Sequence, residues 1–144
     1  MSDAAADATE EDRARWMRQA THFAERVSFN KACGLKVTRW DPHAVVMELP
    51  YAEWLCNSTH GVHGGVISAL ADTCGTAASL ATLGTEGFIA TVSMNVNYLS
   101  VATTDLIATG TCVKAGRRVQ AAEVKIHDRN HKLIASATVT SMIP

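Results

Sequence analysis

The sequence lacks the usual marks of a secreted, metal-clustering or nucleotide-binding protein. Its four cysteines include no C-x-x-C pair, and no secretory signal precedes them, so we expect reduced thiols and a cytoplasmic location. There is no P-loop and no dinucleotide fingerprint. Basic residues are not in excess, because the net charge is −1 at pH 7. That balance gives no electrostatic reason to expect nucleic acid or an anionic membrane as a partner.

Charge is almost absent from one long stretch, residues 64–83, in which Asp72 is the single acid. The stretch is about the right length for a membrane span. However, it also carries five serine and threonine residues and has no basic flank, so a buried helix of a globular protein fits better. A carboxylate inside a core is costly, so Asp72 should be paired, protonated or functional.

Length and composition favour one globular domain. With 144 residues, of which 47% are hydrophobic and 19% charged, the chain can bury a core without disulfides or metals. Residues 1–12 are small, acidic and without periodicity, which predicts a disordered tail. We therefore expect a single domain over residues 13–144, without internal repeats or linkers.

Hydrophobic periodicity predicts an α+β fold. Apolar residues at helical spacing indicate an amphipathic helix from Arg13 to about Phe29, followed by two strands that turn at residues 41–43. After a loop at residues 50–59, the long apolar helix runs to about Gly84. Strand patterns then follow over residues 88–98, 105–114, 119–127 and 133–142.

The second helix differs from the first because it is apolar on nearly every face. A curved antiparallel sheet wrapped around this one long central helix would bury it on several sides, and a second copy of the chain could cover the rest. That geometry belongs to the hot-dog fold, here with an extra N-terminal helix.

The triplet His63-Gly64-Gly65 stands directly before the apolar helix. Glycine lets another group approach the backbone closely, and the first N–H groups of a helix have no partner inside it. Such groups, at the positive end of the helix dipole, can polarise a carbonyl oxygen. The glycines could also simply form a tight turn. The acid that follows within the helix favours the functional interpretation.

Other polar residues near this triplet suggest weaker hypotheses. Asn57 lies in the preceding loop, where it could cap a turn or contribute to a site. Cys56, His60 and His63 lie close together, but no complementary Cys/His pair occurs elsewhere, so no metal site is predicted. A Ser-His-Asp triad is not supported, because there is no G-x-S-x-G motif and Ser68 lies within the apolar helix.

A basic group flanks the predicted turn between the fourth and fifth strands. It consists of Lys114, Arg117 and Arg118. Such groups are usually solvated surface, and their functional role would be contact with the phosphates of a ligand.

The combined pattern resembles the PaaI-type (phenylacetic acid degradation-related) branch of hot-dog acyl-CoA thioesterases. That branch shows an asparagine, a loop, H-G-G, and an acid nine residues beyond the histidine. Here Asn57 precedes His63-Gly64-Gly65, and Asp72 stands nine positions after His63. The later TVSMNVNYLSVA resembles the strand that follows in this family. The resemblance extends over most of the chain from Cys33 onward.

The resemblance implies hydrolysis of an acyl-CoA thioester. The Gly64 amide would bind the thioester carbonyl oxygen, while Asp72 would act either as general base on water or as nucleophile. Asn57 and His63 would orient the thioester or water, and Gly65 would contact the substrate. No cofactor and no metal are implied.

Further residues follow from the same resemblance. Family members often place a serine or threonine near the carboxylate, and Thr91 matches that position, with Ser93 as the nearby competitor. The basic group at Lys114, Arg117 and Arg118 would then bind the phosphates of coenzyme A.

Two alternatives stay open at this point. A hot-dog dehydratase would need its own catalytic histidine loop, whose pattern is not evident here. A non-catalytic acyl-CoA-binding protein could use the same fold, because fold does not determine function. The presence of Asp72 favours an enzyme, since a binding protein has no need of it.

The spacing of Gly64 and Asp72 predicts that the site needs two chains. Eight residues on one helix separate them by roughly 12 Å along the axis, which is too far for both to contact one thioester carbon. A symmetric dimer with antiparallel copies of the helix would bring Gly64 of one chain to Asp72 of the other. We therefore expect a homodimer, or a homotetramer formed as a dimer of dimers.

Overall fold

The computed structural model of the protein describes residues 5–144, and it has the predicted order of elements. The N-terminal part contains α1 (Glu10–Thr21), a π-helix (His22–Arg26) and α2 (Ser28–Cys33). Two strands, a short 3₁₀ helix and the long helix follow as β1 (Lys36–Asp41), β2 (Ala44–Leu49), Glu53–Leu55 and α3 (Gly64–Leu83). The last four strands are β3 (Ala90–Tyr98), β4 (Leu106–Ala115), β5 (Val119–Asp128) and β6 (Leu133–Met142).

The six strands form one antiparallel sheet in the order β1-β2-β4-β5-β6-β3. Helix α3 contacts every one of them. Neighbouring strands lie about 4.8 Å apart and a helix is about 10 Å wide, so one helix can touch six strands only if the sheet curves around it. This arrangement confirms the predicted α+β hot-dog fold with a central helix.

Two glycines allow α3 to lie close against the sheet. A methyl group added at Gly110 in β4 would stand 2.7 Å from the backbone oxygen of Cys74, and one added at Gly75 would stand 2.6 Å from Cγ2 of Val139. By length and hydropathy α3 is the one described helix able to cross a membrane, yet 61% of its most apolar window is buried inside the fold. The interpretation of this stretch as a core helix is therefore confirmed.

The first helix begins at Glu10 rather than at the predicted Arg13. Thr9 caps it: the Thr9 hydroxyl accepts from the Asp12 backbone N–H at 3.1 Å, and the Asp12 side chain accepts from the Thr9 backbone N–H at 3.1 Å. This reciprocal pair satisfies two N–H groups that have no partner inside the helix. The predicted tail over residues 1–12 is thus too long at its C-terminal end, and its residues 1–4 lie outside the described residues.

The predicted continuous helix to Phe29 is interrupted instead. The Val27 N–H donates to the oxygen of His22, five residues back, and Val27 itself has extended backbone angles before α2 resumes. The buried Asn30 side chain donates to the backbone oxygen of Phe23 at 2.9 Å. Asn30 therefore satisfies a carbonyl at the irregular turn, and the periodic pattern of apolar residues does not report this interruption.

Strand β3 lies at an edge of the sheet and pairs with β6 alone among the described strands. It exposes large apolar side chains, including Val92 at 58% and Tyr98 at 54%. An exposed apolar edge strand offers unpaired N–H and C=O groups to another chain.

Candidate active site

Asp72 lies in the middle of α3, and its half-buried side chain is turned toward the start of β3. The Thr91 hydroxyl donates a hydrogen bond of 2.5 Å to Asp72 Oδ1. A bulge in the pairing of β3 with β6 separates Thr91 from Ser93. No hydrogen bond joins Ser93 to Asp72 in the described chain, so the structure brings Thr91 to the carboxylate and leaves Ser93 out.

Asp72 and Thr91 also line a cavity of about 710 Å³. The rest of its lining comes mainly from the end of α1, the π-helix, further residues of α3 and the loop before β3. Volumes of about 300–1,000 Å³ are typical of small-molecule sites. The carboxylate therefore faces a space large enough for a substrate.

The backbone N–H of Gly64, in the first turn of α3, forms no hydrogen bond in the described chain, whereas the N–H groups of the next three residues do. The His63 ring Nδ1 accepts from the Gly65 N–H at 2.8 Å, and the His63 backbone oxygen accepts from Val66 and Ile67 at 2.9 and 3.1 Å. The Gly64 N–H has no acceptor within residues 5–144. Its N–H, at the positive end of the helix dipole, is thus the available donor for a carbonyl oxygen.

The same hydrogen bonds show what His63 and Gly65 do at the start of α3. His63 is the N-cap residue of α3, and its ring acts as an acceptor. The Gly65 N–H is already used by that ring, so the backbone N–H of Gly65 is not free for a substrate. A methyl group added at Gly65 would stand 3.0 Å from His63 Nδ1, which explains why a small residue suits this position.

Asn57 presents a free donor at the same end of α3. Its Oδ1 accepts from the backbone N–H of Thr59 at 2.9 Å, the Thr59 hydroxyl at 2.7 Å and the Gly61 N–H at 3.3 Å. The backbone N–H of His63 donates to the oxygen of Leu55 at 2.9 Å, which ties the loop to the helix start. Asn57 Nδ2 has no partner in the described chain, so the loop holds the amide by its oxygen and leaves its N–H groups available.

The sequence interpretation missed Tyr98, which covers Gly64. A methyl group added at Gly64 would stand 3.4 Å from Cε1 of the Tyr98 ring. The Tyr98 hydroxyl forms a short hydrogen bond with the Ser68 hydroxyl, one turn further along α3. The end of β3 is therefore attached to the first turns of α3, while the start of β3 is attached to Asp72. An aromatic residue at the end of a predicted strand was the available signal.

The N-terminal segment is the second feature that the sequence interpretation missed. Its apolar stripe predicted packing, and Phe23 does contact Trp40, with ring centroids 5.2 Å apart. Phe23 and Val27 also line the cavity beside Asp72. Apolar spacing is the same for a side chain that only packs in the core and for one that also lines a cavity. The sequence pattern therefore could not reveal the cavity.

The residues weighed as metal ligands are engaged elsewhere. His60 Nδ1 lies 2.5 Å from Glu53 Oε1, the Cys56 thiol donates to the oxygen of Ala52 at 3.4 Å, and the His63 ring caps α3. No group of three or more His, Cys, Asp or Glu residues able to hold a metal occurs within residues 5–144.

Cys74 lies two residues beyond Asp72 but faces the core. Burial raises the pKa of the Cys74 thiol to about 12. Because the thiolate is the nucleophilic form, Cys74 is not available as a nucleophile at neutral pH.

The basic group lies away from both ends of the site within one chain. Lys114, Arg117 and Arg118 are exposed at the β4–β5 turn. This turn is at the same end of the strands as the start of β3, because Val119 and Ala90 both pair with Met142. The basic side chains therefore lie on the Thr91 side of the sheet and contact neither Asp72 nor Gly64.

Within one chain, Gly64 and Asp72 stay apart. Both belong to the same uninterrupted α-helix, so their eight-residue separation corresponds to about 12 Å along its axis. We call the pair Asp72 and Thr91 the acid half of the candidate site, and the pair Gly64 and Asn57 its oxyanion half.

A family model described as the thioesterase superfamily matches residues 60–135, which is more than half of the chain. A curated protein of Halobacterium salinarum named "Putative esterase" is 38% identical over 85 residues. The aligned region is 56% of this chain and 56% of that protein, so the chain matches about half the length of this relative.

Solved structures show the same fold. A Shewanella oneidensis protein related to the thioesterase superfamily has a TM-score of 0.86 at 24% identity, covering 95% of this chain and 100% of that one. The E. coli PaaI protein from the phenylacetic acid degradation operon has a TM-score of 0.83 at 19% identity, covering 91% of this chain and 94% of that one. These similarities confirm the hot-dog fold that the sequence resemblance implied.

Proposed function

The chain belongs to the thioesterase superfamily, and from that membership we propose that it hydrolyses the thioester of an acyl- or arylacyl-coenzyme A. The products are the free acid and coenzyme A. The observation that carries this proposal is the Asp72 carboxylate, which is held by Thr91 and faces a cavity large enough for an acyl group. A protein that only binds acyl-CoA needs no acid there.

The chemistry requires two groups that the acid half and the oxyanion half supply. Asp72, as general base, takes a proton from water while the water oxygen bonds to the thioester carbon; as nucleophile, its own oxygen forms that bond and water later releases the acid. In either route the carbonyl oxygen gains negative charge. The free Gly64 N–H is suited to stabilise this charge, and the C–S bond then breaks to release coenzyme A as a thiolate that takes up a proton.

Asn57 and His63 support the oxyanion half. The unpaired Nδ2 of Asn57 is a second donor for the thioester or for water. His63 keeps the first turn of α3 in place by accepting the Gly65 N–H.

A second copy of the chain is needed to join the halves, and β3 supplies a way to recruit it. Thr91, bonded to Asp72, lies near one end of β3, and Tyr98, covering Gly64, lies at the other. If two copies of β3 pair antiparallel around Met94 and Asn95, Thr91 of each chain lies close to Tyr98 of the other. This pairing would bring Asp72 of one chain to Gly64 of its partner.

The same pairing gives the basic group a function. The β4–β5 turn lies on the Thr91 side of its own chain, so it would come near the partner's oxyanion half. Arg117 and Arg118, with Lys114, would then contact the phosphates of coenzyme A. We propose a homodimer with two such composite sites, which can pair further into a tetramer.

The experiment that tests the function is a panel of acyl- and arylacyl-CoAs incubated with the purified protein while free thiol is followed. We expect thiol release with at least one class of acyl group. Saturable binding of the panel without thiol release would contradict the proposal and indicate a binding protein.

A further inference from the structure

We propose that the cavity beside Asp72 selects acyl groups with an apolar body and a terminal carboxylate, and that Arg26 binds this carboxylate. The inference rests on the proposed thioester hydrolysis and names the substrate class that this site prefers.

The position of the cavity determines which part of the substrate enters it. Asp72 and Thr91 line it, so a thioester carbon within reach of the Asp72 carboxylate lies at its wall. The oxyanion half and the basic group lie outside it. The acyl group therefore extends into the cavity, and the coenzyme A part extends away from it.

The body of the cavity is apolar. Its lining includes the side chains of Phe23, Val27, Leu80, Phe88 and Ile89. Its two buried amides are already bonded: Gln19 donates to the oxygen of Thr85 at 2.6 Å and accepts from the Trp40 ring at 3.0 Å, and Asn30 donates to the oxygen of Phe23. Such a lining suits a hydrocarbon chain or an aromatic ring and offers little to a polar one.

Two charged side chains of the lining, those of Asp72 and Arg26, form no ion pair within residues 5–144. Arg18 and Glu86 form a two-point ion pair at 2.9 and 3.3 Å, and the hydrogen bond from Arg18 holds the pKa of Glu86 below its usual value. Asp72 accepts from Thr91. The exposed side chain of Arg26, the last residue of the π-helix, forms no ion pair or hydrogen bond within residues 5–144, although it also lines the cavity.

An unpaired guanidinium at an apolar cavity predicts the chemistry of the ligand. Arginine has a planar set of donors that matches a carboxylate at two points. An acyl group that ends in a carboxylate would place its chain against the apolar lining and its charge at Arg26. The π-helix contributes by widening the turn that carries Phe23 and Arg26, and such irregular turns are frequent at functional sites.

The test compares octanoyl-CoA with its ω-carboxy counterpart of the same chain length. We expect the wild type to prefer the carboxylate-ended substrate in kcat/KM. Arg26→Gln should lower kcat/KM for that substrate by about tenfold or more, since hydrogen bonds to charged groups are worth about 1.5–3 kcal/mol, and should leave octanoyl-CoA within about twofold. Arg26→Glu should lower kcat/KM for the carboxylate-ended substrate further, because the glutamate and the substrate carboxylate would repel each other.

Lys31→Gln is the matched control. Lys31 is an exposed cation in the same segment that does not line the cavity, so its removal should change neither substrate. Equal effects of Arg26→Gln on both substrates, or no effect on either, would overturn the proposal. Wild-type hydrolysis of both substrates with equal kcat/KM would also overturn it while leaving the thioesterase proposal standing. Absence of hydrolysis across the whole panel would instead reject the thioesterase proposal itself.

A second variant tests whether the cavity holds the acyl group, regardless of whether that group ends in a carboxylate. Val27→Phe adds volume inside the cavity, so it should lower kcat/KM for octanoyl-CoA and its ω-carboxy counterpart while acetyl-CoA hydrolysis is retained. An equal loss with all three substrates would show that the acyl group lies elsewhere.

Discussion

The middle and the start of α3 carry the two halves of the candidate site, and these halves are built in opposite ways. In the acid half, Asp72 is held by a side chain from a strand nineteen positions later and lines a cavity together with the N-terminal segment. In the oxyanion half, Gly64 and Asn57 are placed mainly by bonds among residues close to them in the sequence. Changes in the acid half should therefore affect catalysis, whereas changes in the oxyanion half should also affect local folding.

The largest expected effect is in the acid half. Asp72→Asn keeps the size of the side chain and removes its charge, so hydrolysis should fall by about two to four decades, the range expected for a lost general base. Thiol release measures the effect, and circular dichroism with thermal unfolding provides the control. Near-wild-type turnover would reject the catalytic role, and an equal loss of folding would indicate a structural one.

Thr91 offers a smaller change in the same half. Thr91→Val removes the hydroxyl that donates to Asp72 and keeps the shape, so kcat should fall by roughly ten- to a hundredfold, given the strength of hydrogen bonds to charged groups. Thr91→Ser retains the donor and should retain most activity. If valine and serine behave alike, the hydrogen bond has no catalytic importance and Ser93 becomes the better candidate.

The basic turn should act on binding alone. Replacing Arg117 and Arg118 by glutamine should raise KM for acyl-CoA by about tenfold and mostly spare kcat, because phosphate contacts are remote from the bond that breaks. A short acyl thioester without the nucleotide is the control substrate. If its KM rises equally, the arginines act through structure.

The smallest expected effect is a change in the free energy of unfolding, caused by a substitution at the start of α3. His63→Ala removes the acceptor for the Gly65 N–H and should lower the free energy of unfolding by about 1 kcal/mol, the usual cost of a lost N-cap. His63→Asn, which can accept the same N–H, should recover most of this loss in chemical denaturation. Equal stability of the alanine variant and the wild type would show that the cap contributes nothing.

The contrast between the acid half and the oxyanion half also explains which parts of the site could be predicted from the sequence. The oxyanion half was recognisable because its residues lie within nine positions of one another, from Asn57 to Gly65, and turn chemistry acts over such distances. The core helix and the strands were recognisable by their periodicity, and most of their ends were predicted within about two residues.

The acid half was harder to predict because its partners come from distant segments. Thr91 was identified only through a family resemblance, and the roles of Phe23 and Val27 in the cavity were not foreseen. At the π-helix the Asn30 side chain donates to the oxygen of Phe23, and apolar spacing does not indicate such a bond. Tyr98 was missed for the same reason, because its contact with Gly64 joins the end of β3 to the start of α3, which are distant in the sequence.

The central claim is that each working site combines the acid half of one chain with the oxyanion half of another. Mixing two inactive variants tests it most directly: Asn57→Ala disables the oxyanion half, and Asp72→Asn disables the acid half. In a mixed dimer, one site carries both lesions and the other carries neither.

Co-refolding equal amounts of the two variants and measuring thiol release gives the decisive number. If subunits mix randomly and sites act independently, activity should return to about a quarter of the wild-type value, because half of the dimers are mixed and each has one intact site. Mass spectrometry confirms that mixed dimers are present. Persistent inactivity in their presence would contradict the shared site.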